Sequence, residues 1–169
     1  EKLTGRGLYA SDMALPGMLY AHVKRSPHAR ARIIRIDTSR AKKLPGVRAV
    51  LTGDELNYKV GLYVVDKDIL AKGVVRHWGE GVAAVAADTL AIARRAVELI
   101  GVEYEVLTPV LDTVEAMKKS APLVHPDLGK YDYVKEVFSP VGGTNIANLT
   151  KIRKGNINRG FREAEWVIE

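Results

Sequence analysis

Residues 19–52, LYAHVKRSPHARARIIRIDTSRAKKLPGVRAVLT, hold three extended segments and one short helix in 34 positions. Leu19, Ala21 and Val23 alternate with Tyr20, His22 and Lys24, the period of two of a half-buried β-strand. Ser26-Pro27 punctuates the chain, since proline fixes its own φ and pushes the preceding residue out of the helical region. A second strand runs through Ile33, Ile34 and Ile36, making a strand pair with the first. Thr38 or Ser39 can cap a short helix over Arg40 to Leu44, which Pro45-Gly46 ends. Val47 to Leu51 reads as a third apolar strand.

Downstream, Val74 to His77 and Val82 to Ala87 read as strands joined through Gly79-Glu80-Gly81. The second is small and apolar on both sides, as expected of a strand covered on both faces. Asp88 stands at the N-cap position of a helix from Thr89 to Ile100. Its apolar stripe is Leu90, Ala93, Val97 and Ile100, with Arg94, Arg95 and Glu98 opposite. Val102, Tyr104 and Val106 then alternate with Glu103 and Glu105. The spacing predicts a right-handed βαβ crossover in a mixed sheet. Residues 58–73 read as a loop with one strand.

Pro109 interrupts the pattern, and Asp112 caps a helix over about Thr113 to Lys119. The chain is expected to divide into an α+β domain at 1–115, a linker at 116–145 and the beginning of a second α/β domain at 146–169. That last piece reads as an extended stretch at Ile146 to Arg153, a turn at Lys154-Gly155-Asn156, a helix near Asn158 to Ala164 and a strand at Trp166 to Glu169. A chain stopping there leaves a sheet unfinished, as a piece of a larger subunit would.

Composition bounds the function. Of the 169 residues 47% are hydrophobic and 27% charged, the range of an ordinary globular domain. No apolar run approaches a membrane span, and the start carries no hydrophobic signal region. Cysteine is absent, which excludes disulfides and thiolate iron–sulfur or zinc sites in this chain and fits a reducing, cytoplasmic compartment. The net charge of +6 comes from scattered Lys and Arg with few interleaved aromatics, so it describes a solvated surface and not a nucleic-acid platform.

No complete active site is legible. His22, His28, His77 and His125 stand in no metal-ligand frame. Ser26 and His28, with Asp37 near in sequence, lack a nucleophile elbow and an oxyanion loop, and Ser-Pro at a strand end is turn chemistry. Gly79-x-Gly81 precedes a strand, whereas a dinucleotide fingerprint precedes a helix. Gly5-x-Gly7 and Gly142-Gly143-Thr144 read as turns, and Glu103 and Glu105 as members of surface ion pairs.

Four segments in order, TGRGLYASDMALPGMLYAHVKRSPHARARI at 4–33, AKKLPGV at 41–47, GEGVAAVAAD at 79–88 and VEYEVLTPVLD at 102–112, resemble the α/β hammerhead domain. This is the N-terminal domain of the molybdopterin-binding large subunit in the xanthine dehydrogenase and aldehyde oxidase family. Phe138-Ser139-Pro140, Gly143 to Asn148 and the turn Lys151 to Gly155 most resemble 4-hydroxybenzoyl-CoA reductase large subunits, with bacterial nicotinate, xanthine and carbon monoxide dehydrogenases as close competitors.

The resemblance implies an α+β fold and a molybdenum-dependent oxidoreductase acting on an aromatic, N-heterocyclic or aldehyde substrate. It implies a molybdenum cofactor held by later domains, with iron–sulfur clusters and often FAD on partner subunits. No catalytic, cofactor-binding or metal-binding residue carries over to these 169 positions. The implied role of the chain is structural, with Arg25, Arg32 and Glu80 at the turns expected to face neighbouring domains or the iron–sulfur subunit. A second expectation is a free-standing, non-catalytic interaction module, with residues 120–145 as its partner-binding arm.

Overall fold

In a computed structural model that describes residues 2–168, the chain forms eight strands and four α-helices. They are β1 (Tyr20–Arg25), β2 (Ala31–Asp37), α1 (Ser39–Lys42), β3 (Val47–Thr52), β4 (Lys59–Val60), β5 (Lys67–Asp68), β6 (Val74–Val75), β7 (Gly81–Ala87), α2 (Leu90–Leu99), β8 (Gly101–Val106), α3 (Thr113–Ala116) and α4 (Ile157–Glu163). Two three-stranded sheets carry the fold, in the orders β1-β7-β3 and β6-β2-β8, with β4-β5 as a small hairpin. The α+β class is as expected.

The mixed sheet and βαβ crossover do not form. Among the described residues every pairing is antiparallel, and the strands flanking α2 lie in different sheets. The reason is occupancy: β1 and β3 take both edges of β7, so β8 has no edge to join there and pairs with β2 instead. Nor do β1 and β2 form a strand pair. Ser26 at the end of β1 donates its N–H to the Glu80 carbonyl and accepts from the Gly79 N–H, both at 2.9 Å. The turn after β1 is thus tied to the approach of β7, which commits β1 to that sheet.

Two helix caps differ from the sequence reading. Thr89, and not Asp88, caps α2 by accepting from the Ile92 N–H at 3.2 Å. Asp88 takes both Arg48 Nε and Nη2, at 2.7 and 2.9 Å. At α1 the first N–H, from Ser39, goes to Asp37 Oδ1 at 2.9 Å.

Helix α2 packs on one face of the β1-β7-β3 sheet. Ala93 and Ala96 are fully buried there, and their small side chains let the helix approach Ala83 and Val85 of β7 and Val50 of β3. A second cluster joins Val82 to Ala31, Ala71 and Val75. Ile36 of β2 and Val102 of β8 touch both clusters, so the inner face of the second sheet closes the core.

Beyond Pro109 the chain turns back over this unit. Asp112 caps α3 by accepting from Glu115 N–H at 2.7 Å, as its position suggests. Residues 117–146 form no helix and a single bridge, Val64 to Tyr133, but they lie against the domain. The Val65 N–H donates to Asp132 O, the Val134 N–H to Tyr63 O, and Leu128 is buried. Asn145 fastens the strap to itself through Ala116 O, Pro122 O and the Val124 N–H.

From Leu149 the described residues are exposed. The helix expected near Asn158 is α4, capped by the Asn156 side chain. The extended stretches expected at Ile146–Arg153 and at Trp166 onward form no strand among the described residues, because no neighbouring strand completes their hydrogen bonds. Glu169, the end of the second, lies outside the described residues.

Candidate interaction surface

The outer faces of the two sheets have opposite chemistry. On the β6-β2-β8 sheet, Arg32 sits across from Glu105 and Arg35 across from Glu103. The Arg32 guanidinium meets the Glu105 carboxylate at 2.5 Å, with both side chains about half exposed. An antiparallel sheet with one wet face shows this polar-out pattern.

The β1-β7-β3 sheet does not. Its register stacks Ala21, Ala86 and Ala49 in one cross-strand row and Val23, Ala84 and Leu51 in the next. Side chains alternate along a strand, and Ala83, Val85 and Ala87 lie on the helix side. Both rows therefore project from the side opposite α2. Ala21 and Ala49 are exposed, Leu51 is 43% exposed, and the other three are half-buried. The face carries six aliphatic side chains and no charge. Tyr20, His22 and Lys24 share the helix side with Ala87, Val85 and Ala83.

A second unpartnered apolar surface runs along the C-terminal arm. Ile157, Phe161, Trp166 and Ile168 lie around α4, with Trp166 83% and Ile168 95% exposed.

The three residues expected at interfaces separate in space. Arg25 and Glu80 lie at one corner, where Arg25 Nη1 donates to Gly79 O at 2.9 Å. Arg32 lies on the other sheet. Glu80 is only 8% exposed, and its Oε2 accepts the Arg76 N–H at 2.5 Å. Its carboxylate braces the turn from inside, while Arg25 and Arg32 are exposed.

Ser26 and Asp37 are held in local turn contacts. Ser26 is buried, and its Oγ accepts the His28 N–H at 3.0 Å and faces the His28 carbonyl at 3.1 Å, a local turn. Asp37 is engaged with Ser39, far from a triad geometry. Among the described residues no three His, Cys, Asp or Glu converge as metal ligands. A side chain at Gly81 would press on Val23 and Leu70, and one at Gly142 would press on the Leu128 carbonyl, so both are used for packing. The residues present do not fit a molybdenum cofactor.

Two features had no clear signal in the sequence. One is the half-buried polar cluster beneath the strap. Asp68 pairs with Lys59 at 2.6 Å and Arg76 at 3.7 Å, and His125 Nε2 lies 3.7 Å from Asp66. Burial, followed by the Arg76 charge, pushes the His125 pKa below its ordinary value. The other is the aliphatic face: the two-sided apolarity of Val82 to Ala87 marked a covered strand but not the rows beside it.

Comparison with known proteins agrees with this architecture. Residues 4–108 match the family model described as the aldehyde oxidase and xanthine dehydrogenase a/b hammerhead domain. A probable xanthine dehydrogenase chain of Bacillus subtilis is 34% identical over 99% of this chain and 21% of its own length. The nicotinate dehydrogenase large molybdopterin subunit of Eubacterium barkeri is 31% identical over the whole chain and 36% of its own length. The chain thus spans about a fifth to a third of these curated relatives. Among solved structures, the Cu,Mo-CO dehydrogenase superposes with a TM-score of 0.68 at 43% identity, over 72% of this chain and 16% of the other. Aldehyde oxidoreductase from Desulfovibrio gigas gives 0.67 at 29% identity, over 75% and 16%. The chain belongs to the aldehyde oxidase and xanthine dehydrogenase family, and residues 4–108 are its a/b hammerhead domain.

Proposed function

We propose that this chain is the N-terminal, non-catalytic part of the molybdopterin-binding subunit of a molybdenum-dependent oxidoreductase. The observation that carries this is the end-to-end match to a large molybdopterin subunit, over the whole of this chain and 36% of the relative. The molybdenum cofactor belongs to the rest of the subunit, with iron–sulfur clusters and a flavin on partner subunits, in the cytoplasm. Residues 1–115 act as the hammerhead unit, 116–145 as the connecting strap and 146–169 as the approach to the cofactor-binding domains. Arg25 and Arg32 serve at the contact with neighbouring domains or the iron–sulfur subunit, with Glu80 holding the Arg25 corner in shape.

The substrate is an aromatic, N-heterocyclic or aldehyde compound. The similarity of residues 138–155 to 4-hydroxybenzoyl-CoA reductases supports an aryl-CoA thioester among these. The test is turnover by the purified assembly containing this polypeptide. Nicotinate, xanthine and an aldehyde are offered with an oxidised dye, and 4-hydroxybenzoyl-CoA with a reduced one. Turnover with one of these, abolished when cells are grown on tungstate, supports the reading. An assembly inert to all four and free of molybdenum overturns it.

A further inference from the structure

The two aliphatic rows of the β1-β7-β3 sheet are built to be covered. Ala21-Ala86-Ala49 and Val23-Ala84-Leu51 make a flat, uncharged surface, whereas the second sheet of the same domain turns ion-paired Arg32 and Glu105 to water. A central strand apolar on both sides is the pattern of a sheet packed on both faces. Here α2 supplies one cover, while on the other face Val82 is buried, Val23, Ala84 and Ala86 are half-buried, and Ala21, Ala49 and Leu51 are exposed. Transient interfaces are about as polar as ordinary protein surface, while permanent ones resemble a domain core cut in half. An all-aliphatic face of this kind belongs to the permanent class. Its alanines leave no groove for a single inserted side chain. They suit an aliphatic sheet or helix face laid flat against the strands, as in face-to-face sheet packing.

We infer that this face is the seat of a packed aliphatic element from the remaining part of the same polypeptide. The inference rests on the function proposed above. The length of the relatives supports the assignment within one chain: they match these residues throughout yet extend well beyond them, this chain being 21% of one and 36% of another. The absence of charge speaks against a nucleic acid or an acidic partner as the occupant.

The test uses the complete subunit in its assembled state. Residues 1–169 contain no cysteine, so a labelled peptide recovered from this stretch after digestion reports the placed thiol alone. Ala21→Cys and Ala49→Cys probe the face, and Arg94→Cys on the solvent side of α2 is the exposed reference. In the native assembly both face thiols should react with a maleimide at least about tenfold more slowly than the reference, and at the same rate once denatured. A photo-cross-linking residue at Leu51 should join to a peptide from the same polypeptide. Thiols as reactive as the reference overturn the inference, as does a cross-link to another subunit or a second copy. Molybdenum content separates the two levels. A molybdenum-loaded assembly with an open face refutes the inference alone, while a molybdenum-free one removes the function beneath it. If Ala21→Cys fails to assemble, Ala49→Cys and the Leu51 cross-link decide.

Discussion

Arg30 Nη2 donates to the carbonyl of Leu123 at 2.9 Å across 93 residues of sequence, and its Nη1 holds Thr108 O at the same distance. One guanidinium thus clamps both ends of the stretch that carries α3 onto the end of β2. Hydrogen bonds to a charged group contribute about 1.5–3 kcal/mol each. Arg30→Ala should therefore release residues 107–125 and leave the β1-β7-β3 sheet unchanged. Hydrogen exchange by mass spectrometry checks this: protection falls in 107–125 and holds in 81–100. Equal loss in both regions would contradict a local clamp.

The strap should loosen in acid. His125 faces Asp66 and Glu80 on one hand and Arg76 and Lys59 on the other, with the Tyr131 ring against its edge. Burial and Arg76 favour the neutral ring, so its folded pKa lies below the unfolded value of 6.5. The unfolded chain then binds the extra proton more readily, and stability rises with pH across that interval. The contribution is complete above 6.5 and is lost as pH falls through the folded pKa. Amide protection over 124–134, corrected for intrinsic rates, should drop as pH falls below the unfolded value of 6.5, and His125→Phe should flatten that drop. An unchanged profile in the variant would assign it to other groups.

Gly53 admits no side chain. A Cβ there would lie 2.5 Å from the Ala71 carbonyl oxygen and 2.8 Å from that of Leu70, backbone atoms held in the core. Gly53→Ala should lower the unfolding free energy by about 1–3 kcal/mol through forced displacement of the chain. Urea denaturation measures it, and a loss well under that range would mean the 70–71 backbone yields freely.

Arg32 and Glu105 are both half exposed, so their pairing should contribute little to folding. A double-mutant cycle is expected to give less than about 1 kcal/mol. Under the proposed function, Arg25→Glu and Arg32→Glu should leave the hammerhead unit folded but reduce the amount of an iron–sulfur subunit recovered with it. Full recovery with both variants would remove these arginines from the interface.

The family was legible because four ordered segments carry it, and most strand positions because alternation marks them. Pairing was not. Period two assigns the faces of β1 without saying which sheet it joins, and that choice rests on Ser26 meeting Glu80 far along the chain. Asp88 has the chemistry of an N-cap, yet Arg48 claims it through a contact no local pattern encodes. The two-sided apolarity of β7 was readable, but only the register shows that Ala84 and Ala86 extend sideways into a face. Glu80 was read as facing a neighbour, whereas its carboxylate turns inward to accept the Arg76 N–H, a contact no local pattern encodes. The histidine and ion-pair cluster under the strap assembles from residues 59–80 and 125, which share no sequence spacing.

The central claim is that these residues belong to a molybdenum-dependent subunit, and molybdenum itself tests it most directly. The polypeptide carrying them is purified from its native source with its associated subunits, and molybdenum is measured by mass spectrometry against protein. The account predicts about one molybdenum per polypeptide, held by the rest of the subunit in keeping with chemistry that a cofactor supplies and a protein orients. A pure, folded assembly with no molybdenum, even from cells supplied with molybdate, would contradict it.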